Sequence, residues 1–319
     1  MPMPSPLPVK DGIGATRLRI PTSGPWPTVA EYMVATFDHL NAGDLYNRFD
    51  DGEIVDTDGN PINRSTALGA NRFVWYYRDL PAEDPVPFQE EILHVDDDLI
   101  VIDKPHFLST TPGGRYLRET ALVRLRTRLD NPDLVPMHRL DRATAGVLMF
   151  SARPATRGAY QSLFEQRQVT KVYEAVSALP PSWNADAPLL AGHPVPVTYR
   201  NHIASRSGVL RVVTDEALAP NSETVIEVRG AGISASGRAV LHTILRPHTG
   251  RRHQLRVHLA ALGIGILGDT WYPDLLAEAP DDHSLPMQLL ARGLEFADPL
   301  SGLPRRFVTR RTLSEAPVT

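Results

Sequence analysis

The chain has 319 residues, 42% of them hydrophobic, and a formal net charge of −4. That is enough length for two domains, or one large domain with an appendage, and enough apolar surface for a sizeable core. The lack of cysteine excludes disulfides and thiolate metal sites and fits a reducing cytoplasm; no run is apolar enough to span a bilayer, and Met1 to Gly12 lacks a secretory pattern.

In chain order, residues 1–26 read as a mobile N-terminal tail. Residues 27–80 read as a small α/β module. There, Thr28 caps an amphipathic helix that runs to Phe37, and Gly52 to Asn63 carries a hairpin signal with Asp58-Gly59 at its turn. Residues 81–91, which hold three prolines up to Pro87, are the expected linker. From Ile92 onward strands are expected at Leu99–Ile102, Val147–Phe150, Val172–Val176, Leu210–Val213 and Val225–Val228. Helices are expected at Leu117–Leu129, at Ala155–Arg167 with Tyr160, Leu163 and Phe164 facing inward, and along Leu255, Leu259 and Leu262 up to a stop at Gly263. Pro180 to Pro196 reads as a loop. The irregular alternation predicts an α+β fold with a mixed, largely antiparallel sheet flanked by helices and loops over residues 92–319.

Charge is unevenly spread. Asp79 to Asp103 holds nine acidic and no basic residues; Arg115 to Lys171 holds eleven basic against five acidic; Arg246 to Arg256 holds four arginines and no acid. Phosphate contacts are local, so a basic face can bind nucleic acid on a chain of negative total charge. Within the basic stretch, HRLDRATAGVLMF, His138 to Phe150, sets Asp141 after an arginine and before a small flexible turn that runs into a strand. This suits a carboxylate presented at the end of a rigid element, though an ordinary surface Arg–Asp pair fits the same residues.

Four motifs in order resemble those of the RluA-type pseudouridine synthases: DDDLIVIDKP from Asp96, HRLDRATAG from His138, KVYEA from Lys171, and RRHQLRVHLAALGIGILGDTWY from Arg251. The resemblance implies that family's catalytic fold over 92–319. It implies an RNA uridine isomerase that breaks the ribose–uracil bond, turns the base and rejoins ribose to carbon 5, without cofactor or metal. On it, Asp141 is nucleophile or base, Arg256 its ionic partner, and Tyr173 the ring that stacks on the uracil and is a candidate to remove the carbon-5 proton. Arg139 supports the flipped-out nucleotide, and Arg142, Lys171, Arg251 and Arg252 are further RNA contacts. Tyr173 and Ala175 are expected on one strand face, with Val172, Glu174 and Val176 on the other.

The resemblance also implies an RNA partner (large-subunit ribosomal RNA before transfer RNA), no membrane, no obligate protein partner, a monomer and a cytoplasmic location. Residues 27–80 weakly resemble a ribosomal-protein-type RNA-binding module, although the segment is poor in cations, with Arg48 and Arg64 the only ones before Arg72. His253 and His258, five apart, do not converge as metal ligands, and Gly268-Asp269 is expected to hold backbone. The chain departs from the family pattern at Ala145, where a hydroxyl is usual, and at Gln288-Leu289-Leu290-Ala291, where a histidine is usual. A glycosidase or nucleoside hydrolase needs a second carboxylate that the motifs lack. A catalytically silent RNA-binding assembly factor would have no need to keep Asp141, Tyr173 and Arg256 together.

Overall fold

A computed structural model describes residues 4–80, 82–206, 209–277 and 279–318. It divides into two compact units: Met1–Glu83 with Pro112–Arg118 and Val123–Pro132, and Asp84–Thr111 with Glu119–Leu122 and Asp133–Thr319. The catalytic region expected over 92–319 is therefore interrupted, because two short segments of it belong with the N-terminal unit.

In the first unit β1 (Thr16–Arg19) pairs antiparallel with β2 (Phe73–Tyr76), and α1 (Val29–Thr36) and α2 (Ala42–Asp50) pack beside them. The mobile-tail expectation for 1–26 is corrected here at Thr16 to Ile20, while residues 1–3 lie outside the described residues. Thr16–Arg19 alternates half-buried and exposed positions as a strand should, and Ile20 just beyond it is buried in one core with Met33, Phe49 and Val74. As expected, Thr28 caps α1, its hydroxyl accepting from Glu31 N at 3.2 Å. The Gly52–Asn63 turn forms, with the Asp56 carboxylate accepting from Asp58 N and Asn60 N at 2.9 Å each, but it carries only a single bridge, Val55 to Pro61, and no ladder. Pro61 has no N–H to extend one. Arg48 is engaged by Glu53 at 2.8 Å and lies 3.7 Å from Asp79, and Arg64 is paired with Asp50.

The second unit is built on one sheet. Its elements are β3 (Glu91–Val95), β4 (Leu99–Lys104), β5 (Val135–Pro136), β6 (Ala145–Ser151), α4 (Pro154–Glu165) and β7 (Thr170–Ala178), with α3 (Ala121–Leu129) preceding β5 in the chain. After these come β8 (Leu189–Leu190), β9 (His193–Pro194), β10 (Val197–Asn201), β11 (Ile203–Ala204), β12 (Val213–Thr214), β13 (Ser222–Ile233), β14 (Ala239–Pro247), α5 (Gln254–Ala261), β15 (Leu289–Ala297) and β16 (Pro304–Val308). The sheet order is β10-β13-β14-β7-β15-β6-β4-β3, with β16 on β15 and β5 on β6. Every pairing is antiparallel except β15 with β6, so the sheet is mixed and largely antiparallel and the fold is α+β.

Three expected elements differ. The helix expected from Leu117 begins at Ala121, because Tyr116 is bridged to Gly113 and Thr120 to Ser109, and the bends between them leave no helical ladder before Ala121. The strand expected at Leu210–Val213 is reduced to the two-residue pair of β11 with β12. The Pro180–Pro196 loop contains the equally short pair of β8 with β9.

The active-site helix α5 has clear local causes. Leu255, Leu259 and Leu262 are buried in one cluster with Ala175 of β7 and Leu245 of β14. Gly263, at φ +72°, ends the helix: its N–H donates to Ala260 O at 3.0 Å and that of Ile264 to Leu259 O at 3.0 Å, the paired bonds of a Schellman stop. His258, on the same helix, is fully buried and bonded to Thr224, Ser222 and Asn201 at 2.9–3.0 Å.

Burial pushes His258 down to about 4. Its folded pKa lies below the ordinary value of about 6.5, so the unfolded chain takes up this proton first. The stability at stake is whole above pH ~6.5 and is lost as pH falls toward 4, by an amount on the order of 3 kcal/mol. Melting curves between pH 7 and 4.5 should therefore fall less steeply in His258→Gln than in the parent chain; equal slopes would contradict this account.

Candidate active site

Asp141 stands on the loop between β5 and β6, and five bonds from neighbouring side chains and backbone hold that loop. The Thr110 hydroxyl donates to Leu140 O at 2.8 Å and accepts from Leu140 N at 3.1 Å. The His106 Nδ1 hydrogen goes to Ala143 O at 2.6 Å. Thr144 N donates to Asp141 O at 3.0 Å, closing a turn. Lys104, wholly buried, donates to Pro105 O and Leu108 O at 2.9 and 2.7 Å, with Arg142 O at 3.4 Å. Burial pushes the Lys104 ammonium well below the usual lysine range, while the Asp141 charge acts the other way. The segment expected to be flexible is instead pinned by its backbone on both sides of Asp141.

Beyond it, Gly146 takes φ +112° and lies against the backbone of Ala291, where β6 and β15 run parallel. Ala145 is fully buried in one cluster with Leu290 and Val176, which fits a methyl group where the family usually has a hydroxyl. Gln288, the other departure, is bonded to Pro286 O, Ser314 Oγ and Glu315 N, a structural post.

The Asp141 carboxylate is 25% exposed, and its Oδ2 lies 3.3 Å from Nη1 of Arg256. Arg256 is itself 6% exposed and is gripped more closely by Asp269, with Nε to Oδ2 at 2.7 Å and Nη2 to Oδ1 at 2.6 Å. The rings of Trp271 and Tyr272 stand 5.1 and 5.2 Å from its guanidinium carbon. Burial opposes the Arg256 charge, but the bonds and charge of Asp269, followed by those of Asp141, outweigh it and hold the guanidinium above its usual pKa. Asp269 also accepts from Trp271 N and Tyr272 N at 2.8 and 3.1 Å, so it does hold backbone as expected. Its grip on Arg256 was not legible from the sequence; the only signal was an acid thirteen residues on, inside the GDTWY motif.

Tyr173 and Ala175 share the face of β7 that packs on the α5 cluster, and Val176 lies in a second cluster with Val240 and Leu313. Burial and the Asp141 charge raise the Tyr173 phenol above its usual range, so it remains protonated at neutral pH. His138 is stacked on Phe164 at 5.2 Å and accepts from Met149 N at 3.1 Å; burial, with some help from Lys171, pushes it down to about 3, which leaves a neutral structural ring.

A cleft of about 590 Å³ brings together Asp141, Tyr173, Arg256, Arg139, Lys171, Arg251 and Arg252. Burial, and secondarily Arg167, lowers Lys171. Arg139 is exposed, without a hydrogen-bond or ion-pair partner among the described residues. The Arg251 and Arg252 side chains donate to Asn221 O and Val209 O at 3.2 Å each. Arg142 is the exception. It is absent from the cleft lining, makes a two-pronged pair with Asp281, and lies over the ring of Phe107 at 5.7 Å. The RNA contact expected of Arg142 is therefore not part of this cleft, because its guanidinium is held by a carboxylate from 139 residues further along the chain. Two further cleft residues escaped the sequence reading, His253 and Gln254. The Gln254 amide fixes the start of α5 through Thr249, Arg251 N, Glu223 O and Thr224 at 2.7–3.0 Å.

A basic cleft with a carboxylate on a rigid loop and a ring beside it, Glu165 also standing in its lining, suits a polyanion that carries a flat base. Comparison with known proteins is in keeping with this. A family model described as RNA pseudouridylate synthase matches residues 98–261. An uncharacterized RNA pseudouridine synthase of Synechocystis is 30% identical over 231 residues, 70% of this chain and 72% of that protein. The dual-specificity RNA pseudouridine synthase RluA of Escherichia coli K12 is 34% identical over 197 residues, 59% of this chain and 80% of that protein. Among solved structures, human RNA pseudouridylate synthase domain containing 1 matches with a TM-score of 0.55 at 26% identity, covering 72% of this chain and 86% of that one. The chain belongs to the RNA pseudouridylate synthase family, as an RluA-type RNA pseudouridine synthase. Among its described residues no helix is long and apolar enough to cross a membrane.

Proposed function

We propose that this synthase acts on a uridine of structured large-subunit ribosomal RNA, as a monomer in the cytoplasm, and that Asp141 is its catalytic carboxylate. The observation that carries this reading is Asp141 held 3.3 Å from a guanidinium in a cleft that Tyr173 and four further arginines also line. The isomerisation moves one proton from carbon 5 to nitrogen 1 of uracil and changes no oxidation state. Its demand on the protein is a carboxylate at the anomeric carbon and a surface that keeps the freed base while it turns. Arg256 orients Asp141 through the guanidinium nitrogen 3.3 Å from Oδ2. Tyr173 offers the ring for the base and is the candidate to remove the carbon-5 proton, although burial and the Asp141 charge keep its phenol protonated at neutral pH.

Arg139 enters the space the flipped nucleotide leaves, and Lys171, Arg251 and Arg252 meet phosphates along the rim. RNA contact is assigned to this cleft rather than to the N-terminal module, whose Arg48 and Arg64 are already paired.

The test is to incubate the protein with ribosomal and transfer RNA transcripts and map pseudouridine by chemical adduct and primer extension. Adduct stops in ribosomal RNA support the reading; stops in transfer RNA alone overturn the substrate assignment, and released uracil would mark a hydrolase. In the same assay Arg139→Ala is expected to lower turnover about 100-fold with RNA affinity within about threefold. Equal losses in turnover and affinity would reject its place in base extrusion.

A further inference from the structure

His253 immediately precedes α5 in the left-handed conformation, φ +54°, and its ring is 5% exposed. Such a backbone is uncommon for a non-glycine residue and is tolerated where the surroundings hold it. Its two ring nitrogens face different partners. Nδ1 lies 3.0 Å from the Tyr272 hydroxyl, and Nε2 lies 4.0 Å from Oδ1 of Asp141, the oxygen that Arg256 does not take. The Tyr272 oxygen also accepts from Val212 N at 2.8 Å.

These contacts fix the direction of the hydrogens. Val212 N–H can only donate, so it occupies a lone pair of the Tyr272 oxygen; the buried phenolic hydrogen still needs an acceptor, and among the described residues Nδ1 of His253 is the one within reach, so the hydrogen is directed there. A neutral imidazole that accepts at Nδ1 carries its hydrogen on Nε2, facing Asp141. Burial, the largest influence on the ring, lowers it to about 4, so it is uncharged at neutral pH, although Asp141 pulls the other way.

We propose that His253 is a positioning residue for Asp141, a neutral Nε2–H donor whose tautomer is set by Tyr272 and which fixes the rotation of the carboxylate. Arg256 takes Oδ2, His253 faces Oδ1, and the carboxylate can no longer spin about its Cβ–Cγ bond when a ribose arrives. The present 4.0 Å is beyond hydrogen-bond range; the bond forms as the substrate closes the cleft, as active-site bonds commonly tighten on binding. The inference rests on Asp141 being the catalytic carboxylate.

Two substitutions separate this role from a merely conformational one. The glutamine amide can place an N–H where Nε2 stands, whereas asparagine is too short to do so but suits a left-handed backbone better than glutamine. In single-turnover assays on RNA, His253→Gln is expected to keep the rate within about threefold of the parent, and His253→Asn to lose at least about thirtyfold with RNA affinity unchanged. The reverse order, or equal losses, overturns the proposal. These rates are compared only in a parent chain that forms pseudouridine, so an inactive parent speaks against the substrate reading and a reversed order against His253.

A second measurement does not depend on turnover. Long-range ¹H–¹⁵N spectra of histidine-labelled protein should show His253 protonated on Nε2 at pH 7, moving toward a tautomer mixture in Tyr272→Phe. A hydrogen on Nδ1 in the parent chain overturns the proposal even if both variants fail to fold.

Discussion

Asp141→Asn is expected to abolish pseudouridine formation, with a loss of at least ~10⁴-fold in single-turnover rate, the scale seen when a catalytic nucleophile is removed. RNA affinity should stay within about threefold, because the cations on the cleft rim are untouched. The fold should survive as well, for a reason the geometry makes specific. Removing the partner of a buried charge ordinarily destabilises by about 3–5 kcal/mol. Here Arg256 keeps both of its close bonds to Asp269, at 2.6 and 2.7 Å, and Lys104, which loses the offsetting Asp141 charge, keeps its carbonyl acceptors Pro105 O, Leu108 O and Arg142 O, so neither cation is left without partners. A melting temperature close to the parent's, together with the lost rate, is the expected pair of results. A variant that still forms pseudouridine at a tenth of the parent rate would remove Asp141 from the chemistry.

Gly146→Ala carries the largest expected effect on stability. A Cβ at this position would sit 2.2 Å from Ala291 O and 2.8 Å from its carbonyl carbon and nitrogen, and all three are backbone atoms of the neighbouring strand. Neither a rotamer change nor a side-chain shift relieves such a clash; β6 and β15 would have to part. The positive φ adds strain of its own. The cost is expected at about 4 kcal/mol or more, which in a protein of this size corresponds to a fall of roughly 10 °C in melting temperature. Gly113→Ala is the control: nothing lies within 4 Å of its Cβ position and its φ is ordinary, so calorimetry should find a change within about ±0.5 kcal/mol. Comparable losses in the two variants would contradict the close-approach argument. Because Gly146 follows the Asp141 loop directly, a partly folded Gly146→Ala should also lose activity more than a stability change alone accounts for.

Much of the site was legible in the chain. HRLD, KVYEA and HQLR each sit on one short element, and each contributes the residue expected of it to a single cleft: Asp141, Tyr173 and Arg256. The alternation of β7 placed Tyr173 with Ala175, and the leucine spacing with Gly263 placed α5, because both features are local periodicities of three to ten residues. Element boundaries were less legible where another segment intervenes, as the Ser109 bridge does at Thr120 just before α3. The N-terminal strand at Thr16–Arg19 was missed because its partner, Phe73–Tyr76, lies more than fifty residues away and its own four residues carry little signal.

What the amino-acid order determined by itself was the family, the fold class and the identity of the carboxylate, ring and guanidinium, since each is carried by residues adjacent in the chain. What only the tertiary structure decided was the electrostatic wiring among them: Asp269 rather than Asp141 as the nearer partner of Arg256, Arg142 drawn off to Asp281, and His253 turned toward Asp141. Ion pairs and buried bonds of this kind depend on distances of a few ångströms between segments that the sheet order brings together, and the spacing of residues along the sequence does not encode them.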